Sequence, residues 1–168
     1  MKILILGAGR VGSSLASTLS KQQYEVSIVD LNKNRLQRLQ EDLDLATEVG
    51  HGSYPSTLKK VGADEETILL AVTNSDECNI TSCQIAKSEF NVKKTICRLS
   101  DASYLDSLSA FGENNIDIAI SPENEVTEHL VDLIKHPGAE QIESFANGSI
   151  KVVSVKAKKD GMLSLIHI

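Results

Sequence analysis

A chain of 168 residues is long enough to bury one good core and part of another, but short for two complete domains. Its 41% hydrophobic and 24% charged residues are those of an ordinary globular protein, and a formal net charge of −6 without a basic run argues against a nucleic-acid surface or a lysine-driven membrane contact. No apolar run approaches the ~20 residues that cross a bilayer, and Gly7 to Gly12 interrupt the first apolar stretch before it can act as a signal peptide, so a cytoplasmic location is expected.

Lys2-Ile3-Leu4-Ile5-Leu6 predicts a buried strand and runs directly into Gly7-Ala8-Gly9-Arg10-Val11-Gly12. Val11, Leu15 and Leu19 recur at helical spacing and predict a helix that ends before Tyr24, with those residues on its apolar face. Val26 to Val29 form the next strand, closed by Asp30. Strand, G-x-G-x-x-G turn, helix, strand and terminal carboxylate, in this order, make up the dinucleotide-binding fingerprint. Gly7 permits the tight turn, Gly9 lets backbone N–H groups approach a pyrophosphate with no Cβ in the way, and Gly12 lets the helix pack closely on the strand. The helix N-terminus then faces an anion. Asp30 can accept hydrogen bonds from ribose hydroxyls and repels a 2′-phosphate, which favours NAD(H) or an adenine nucleotide over NADP(H); Lys33 and Arg35 soften that exclusion, because either can neutralise such a phosphate.

Asn32 is placed to cap a second helix with Leu36, Leu39 and Leu43 on its apolar face, and Leu45 to Val49 read as the third strand. After Gly50-His51-Gly52-Ser53, Pro55 suits the first turn of a short helix and Gly62 its C-terminal cap. Thr67 to Val72 is nearly continuous in apolar residues, as in a central parallel strand covered on both faces. A helix beginning at Ser75 or Asp76 carries Ile80, Cys83, Ala86 and Phe90 on one side. Thr95 to Cys97 is the fifth strand, ending in Arg98, followed by a helix near Tyr104 to Phe111 and a sixth strand from Ile116 to Ile120. Ser121-Pro122-Glu123 starts a helix whose Val126, Leu130, Leu133 and Ile134 predict a buried face, and His136-Pro137-Gly138 stops it. Beyond Gly138 the pattern changes to a hairpin, Ile142 to Phe145 and Ile150 to Val155, turned by Asn147-Gly148, with an apolar end from Leu163 to Ile168.

This alternation predicts an α/β fold: a Rossmann-like doubly wound parallel sheet over 1–137, followed over 138–168 by a linker and the partial start of a small β-containing lobe. Cys83 and Cys97 fall on an apolar helix face and in a strand, so buried apolar positions are expected for them. Neither the cysteines nor His51, His129, His136 and His167 have metal-ligand spacing, and there is no catalytic Ser or Cys motif; neither metal nor catalytic residues are expected.

Ligands of such sheets bind beyond the C-terminal strand ends. The candidate nucleotide-binding residues are therefore Gly7, Ala8, Gly9, Arg10, Val11 and Gly12 in the first loop; Asp30, Leu31, Asn32 and Lys33 after the second strand; Gly52 and Ser53 after the third; Val72, Thr73 and Asn74 after the fourth; and Arg98 after the fifth. Several have a plainer reading beside the functional one. Arg10 is either a phosphate contact or a solvated surface arginine, Asn32 a ribose neighbour or only a helix cap, and Gly50 to Ser53 an adenine contact or only a turn. Arg98 either points to the second half of a dinucleotide or pairs with Asp76, Asp101 or Glu123.

With these residues in view the chain resembles the RCK/KTN family, ligand-binding domains that regulate potassium channels and transporters. The matching stretches are Met1 to Gly12, Val29-Asp30, Gly50 to Ser53, Gly62-Ala63-Asp64, Ala71-Val72-Thr73, Ser75-Asp76-Glu77 with Asn79, Ile120 to Glu123 and Pro137-Gly138-Ala139, in family order over about residues 1–157. The resemblance implies a Rossmann lobe that pairs into dimers and then a tetrameric ring on a Trk-type membrane potassium translocating subunit. It implies that NAD(H), ATP or ADP in the cleft gates transport. It carries Gly7, Gly9, Arg10 and Gly12 over as phosphate-site residues, Asp30 as the ribose ligand and Arg98 as a second phosphate contact.

Two functions follow. The leading one is a non-catalytic, nucleotide-sensing regulatory subunit. The other is a small NAD-dependent oxidoreductase or its cofactor-binding half, but no strand-end Lys, Tyr or His here makes a convincing acid–base group for hydride transfer.

Overall fold

The structure is a computed structural model that describes residues 1–107, 116–145 and 149–156. In chain order the elements are β1 (Lys2–Leu6), α1 (Arg10–Lys21), β2 (Glu25–Asp30), α2 (Lys33–Asp42), β3 (Ala46–Val49), α3 (Pro55–Lys60), β4 (Thr67–Ala71), α4 (Asp76–Phe90), β5 (Lys94–Arg98), α5 (Ser103–Asp106), β6 (Ile118–Ile120), α6 (Pro122–Lys135), β7 (Ala139–Phe145) and β8 (Ile150–Val155). β1 to β6 form one parallel sheet in the order β3-β2-β1-β4-β5-β6, the doubly wound arrangement expected from the alternating pattern.

Period-two alternation on the central strands divides the core into two layers. Leu4 and Leu6 of β1 and Leu69 and Ala71 of β4 pack with Leu58 of α3 and Ile80, Cys83 and Ala86 of α4. Ile3, Ile5 and Leu70 point the other way, onto Ala16 of α1 and Leu36 of α2. This explains the unbroken apolar composition of β1 and β4, since both of their faces are covered.

Helix ends follow local chemistry. Asn32 Oδ1 accepts from the Asn34 and Arg35 N–H groups at the start of α2, and Ser75 Oγ accepts from Cys78 N–H at the start of α4. Gly62 closes α3 at φ +71°, where its N–H donates to Lys59 and that of Ala63 to Leu58.

Three expectations need correcting. In α1 Leu15 and Leu19 pack against the core as expected, but the fully buried positions are Gly12 and Ala16, and Val11 is 41% exposed. Leu43 is not on the α2 helix but is its extended C-cap. No residue of α6 is buried, and Val126, Leu130 and Ile134 are 59%, 54% and 79% exposed. An apolar stripe marks which face of a helix can be buried, not what lies against it. The part of the helix expected over residues 108–111, the Asn147-Gly148 turn and the apolar end from Leu163 lie outside the described residues.

The chain divides into two compact units, Met1–Pro122 and Glu123–Ile168. The expected boundary at 137/138 lies a helix further on, so nearly all of α6 goes with the hairpin. Within the second unit β7 and β8 pair antiparallel, Ile142 is buried, and Lys151 Nζ meets Asp132 Oδ1 at 2.5 Å, a bond that holds the Asp132 carboxyl below its usual range.

Candidate functional site

The C-terminal ends of the parallel strands bring the expected residues to one rim. At the end of β1 the chain turns at Gly7, with φ +102° and an N–H that donates to Val29 O at 2.8 Å. A Cβ on Gly7 would stand 3.0 Å from Thr73 Cα, and one on Gly12 only 1.8 Å from Gly7 O, so both positions are closed by the protein's own backbone. Gly9, the N-cap of α1, is different: a Cβ there would meet nothing within 4 Å. The first turn of α1 is held by Ser13, whose N–H donates to Gly9 O at 2.9 Å and whose Oγ donates to Ala8 O at 3.1 Å.

Asp30 ends β2 and faces this loop. Its Oδ2 accepts the Ala8 N–H at 2.6 Å and its Oδ1 the Asn32 N–H at 2.7 Å. The carboxylate thus locks the glycine loop to the β2–α2 turn and keeps lone pairs for further donors, since two oxygens offer about four acceptor sites. Leu31 is 68% exposed and, with Asn32, Lys33 and Asn34, lines a shallow hollow beside it.

After β3, Gly52 is buried with its Cβ position 3.1 Å from a Leu6 methyl. Ser53 Oγ lies 2.8 Å from His51 Nδ1, and the His51 ring stacks on Tyr54 with centroids 4.8 Å apart. After β4, Val72 N–H donates to Leu6 O at 3.0 Å, while Asn74 is exposed.

Asn79, fully buried on α4, joins the next two strand ends. Its Oδ1 accepts Thr73 N–H at 3.0 Å and Thr73 Oγ1–H at 2.7 Å, and its Nδ2 donates to Thr73 O at 3.2 Å and Arg98 O at 2.9 Å. One turn earlier, the Asp76 carboxylate accepts the Ser100 and Asp101 N–H groups, each at 2.9 Å by its shorter contact. Neither residue received a site role from sequence reasoning. The signal in the sequence at Asn79 is a polar residue beside the apolar Ile80, Cys83 and Ala86 on the buried face of α4. Ser121, just past β6, is 2% exposed and its Oγ has no hydrogen-bond partner among the described residues.

These bonds separate positioning from open chemistry. Gly7, Gly12, Val72, Thr73 and Asn32 are committed to holding the rim together. Gly9, Arg10, Leu31 and Lys33 stand at its surface with unfilled space before them. No group of three or more His, Cys, Asp and Glu side chains suited to a metal is found among the described residues.

Residues 3–122 match the family model of the TrkA-N domain. The chain belongs to the TrkA-N domain family. This TrkA-N chain is 42% identical over 165 residues to the Trk system potassium uptake protein TrkA of Halomonas elongata, covering 97% of this chain and 36% of that protein. It thus spans little more than a third of the length of that relative. Among solved structures, the GsuK channel bound to NAD superposes with a TM-score of 0.67 at 16% identity, over 87% of this chain and 25% of that one. GsuK bound to ADP gives 0.64 at 22% identity, over 80% and 34%. At such identities the likeness is one of fold, and it is the same doubly wound fold described above. No helix among the described residues is long and apolar enough to cross a membrane.

Proposed function

We infer that this TrkA-N domain is a nucleotide-binding regulatory module: it holds NAD(H), or ATP or ADP, along the rim from the glycine loop to Arg98 and uses the binding energy to bias a potassium uptake system. The observation that carries the reading is Gly9. Packing accounts for Gly7 and Gly12, but the space over Gly9 is open and sits at the N-terminus of a helix of 12 residues, where backbone N–H groups and the helix dipole favour an anion. A pyrophosphate accepts those N–H groups, Asp30 takes ribose hydroxyls with its remaining lone pairs, and Leu31 with Asn32 and Lys33 borders the adenine. Gly52 and Ser53 close the adenine side, and Val72, Thr73 and Asn74 underlie the centre of the ligand. Arg10 and Arg98 meet what lies beyond the first phosphate.

Support for the system comes from the TrkA relative, a potassium uptake protein, and support for the ligand class from the GsuK structures bound to NAD and to ADP. On this reading the domain acts as a homo-oligomer, dimers assembling to a tetramer, on the cytoplasmic side of a membrane-embedded Trk-type translocating subunit, and reaches the membrane only through that partner. On this reading it is a binding module and not an enzyme. A nucleotide shifts the oligomer only by its differential affinity for two arrangements, so NADH and ATP can act oppositely through one adenosine site.

Titration calorimetry with NADH, NAD, ATP and ADP tests the reading. Binding is expected, and Gly9→Val is expected to weaken it at least about ten-fold, because the new side chain fills the space of the phosphate. Asp30→Ala weakens it as well, but also frees the Ala8 and Asn32 N–H groups, so Gly9 is the cleaner position. Lack of binding by every adenine nucleotide sinks the proposal. Loss of NADH absorbance with a panel of carbonyl substrates would favour the oxidoreductase instead.

A further inference from the structure

Cys78 has neighbours of a kind that Cys83 and Cys97 lack. It is the third residue of α4 and partly open, and its N–H is fixed by the Ser75 cap, whereas Cys83 and Cys97 are buried. Its Sγ lies 4.0 Å from His51 Nδ1 and 3.9 Å from Ser82 Oγ. His51 comes to it from a different part of the fold and is held from two sides: its ring stacks on Tyr54, and Ser53 presents its N–H at 3.4 Å and its Oγ at 2.8 Å to the same Nδ1. A backbone N–H can only donate, so Nδ1 is an acceptor and the neutral ring carries its proton on Nε2. The nitrogen nearest the thiol therefore holds a lone pair. A nucleophile, a base within reach of its proton and further groups that orient the base are the parts from which reactive cysteines are built. In nucleotide binding the Cys78 thiol has no task.

The surroundings also select the reagent. Asp76 and Glu77 precede Cys78 on the first turn of α4, and Glu77 is exposed, so anionic disulfides are repelled while a small neutral oxidant is not. We propose that Cys78 is a peroxide-oxidised thiol with His51 as its base, and that its sulfenic acid weakens nucleotide binding through the His51–Ser53 turn. His51 Nδ1 takes the thiol proton, the sulfur attacks one oxygen of hydrogen peroxide, and the O–O bond breaks. The leaving hydroxide takes the proton back from His51 and departs as water; sulfur loses two electrons and the peroxide gains them. Cys83, five residues further along α4, has its Cα roughly 8–9 Å away by helix geometry, beyond the ~7 Å limit for a disulfide, so it does not consume the product. A small-molecule thiol does: the first equivalent displaces water to give a mixed disulfide and a second releases Cys78 as the thiol. The coupling to nucleotide rests on the reading above, in which Gly52 and Ser53 close the adenine side. The oxidation itself does not.

The test treats the whole chain with hydrogen peroxide, traps sulfenic acid with dimedone and locates the adduct by peptide mass spectrometry. The adduct is expected at Cys78 at least about ten-fold faster than at Cys83 or Cys97, faster in the folded chain than at the same residue in urea, and at least about ten-fold slower in His51→Gln. The comparison with urea needs no variant, and melting curves check that His51→Gln folds. Mere accessibility would make Cys78 no faster folded than unfolded, and that result overturns the proposal, as does a rate unchanged in a folded His51→Gln. For the coupling, ADP and NAD are titrated by calorimetry into chain freed of excess peroxide. Oxidised chain is expected to bind about three-fold more weakly or worse, dithiothreitol to restore the affinity, and Cys78→Ser to bind normally with or without peroxide. Fast oxidation of Cys78 with unchanged affinity overturns the coupling. If neither nucleotide binds even the reduced chain, the regulatory reading fails while a trapped Cys78 adduct still stands.

Discussion

A Cβ added at Gly12 would lie 1.8 Å from the Gly7 carbonyl oxygen, whereas one added at Gly9 has nothing within 4 Å, and these two glycines of one motif therefore answer to different constraints. Gly12→Ala is expected to cost about 3 kcal/mol or more of stability in denaturant unfolding, since the clash is with backbone that cannot rotate away. Gly9→Ala is expected to change stability by less than about 1 kcal/mol, the difference between two helix N-caps, and to show its effect in nucleotide affinity. The cysteines also divide by environment. A thiol–thiol hydrogen bond with Cys97 and burial push the Cys83 pKa well above its ordinary value, and both of these free cysteines are 0% exposed, while Cys78 is partly open. A thiol-reactive dye is therefore expected to modify Cys78 quickly in the folded chain and the other two only on unfolding. Three fast thiols would contradict the core described here.

At the scale of elements, the strand ends are tied by a few polar side chains. Asn79 holds β4 to β5 at the rim, and Asn79→Leu is expected to lose about 1–3 kcal/mol of stability through the orphaned Thr73 and Arg98 backbone groups. At the opposite, N-terminal ends of β5 and β6, Asp117 Oδ2 accepts the Thr95 N–H at 2.6 Å and pairs with Lys87 Nζ at 2.8 Å. Burial raises the Asp117 pKa, but the bonds from Lys87 and Thr95 outweigh it, so the carboxyl sits below its usual range. A lowered folded-state pKa contributes stability that is fully present above the unfolded value of about 3.9 and is lost as pH falls through the folded one. Asp117→Asn is therefore expected to be less stable than the parent at pH 7, with the gap closing as both are acidified below the unfolded-state value of about 3.9. A constant gap in thermal melts across that range would refute this account.

For the whole molecule, a ligand that binds only the folded state stabilises it by mass action. NADH at one hundred times its Kd contributes about 2.7 kcal/mol, which for a chain of this length is expected to raise the Tm by about 5–10 °C in a thermal-shift assay. The exposed face of α6 bears on assembly instead. Val126, Leu130 and Ile134 are written at core spacing yet are exposed, as an apolar face that meets a second copy in the proposed homo-oligomer would be.

Local chemistry along the chain was enough to determine the doubly wound order, the glycine loop with Asp30 opposite it, the Asn32 and Gly62 helix ends and the burial of Cys83 and Cys97. Strand period, turn residues and crossover handedness each act over a few residues or through a rule of general chirality. Tertiary structure alone decided that Val11 turns outward, that Asn79 bridges two strand ends, and that Arg10, distant in sequence from Arg35 and Arg38, shares a cleft with them. Such facts depend on which elements meet across the fold, and a periodic pattern states only which face of a helix is apolar, not what will lie against it. No run of basic residues foretold the cleft, because its charge is assembled from two helices and belongs to neither.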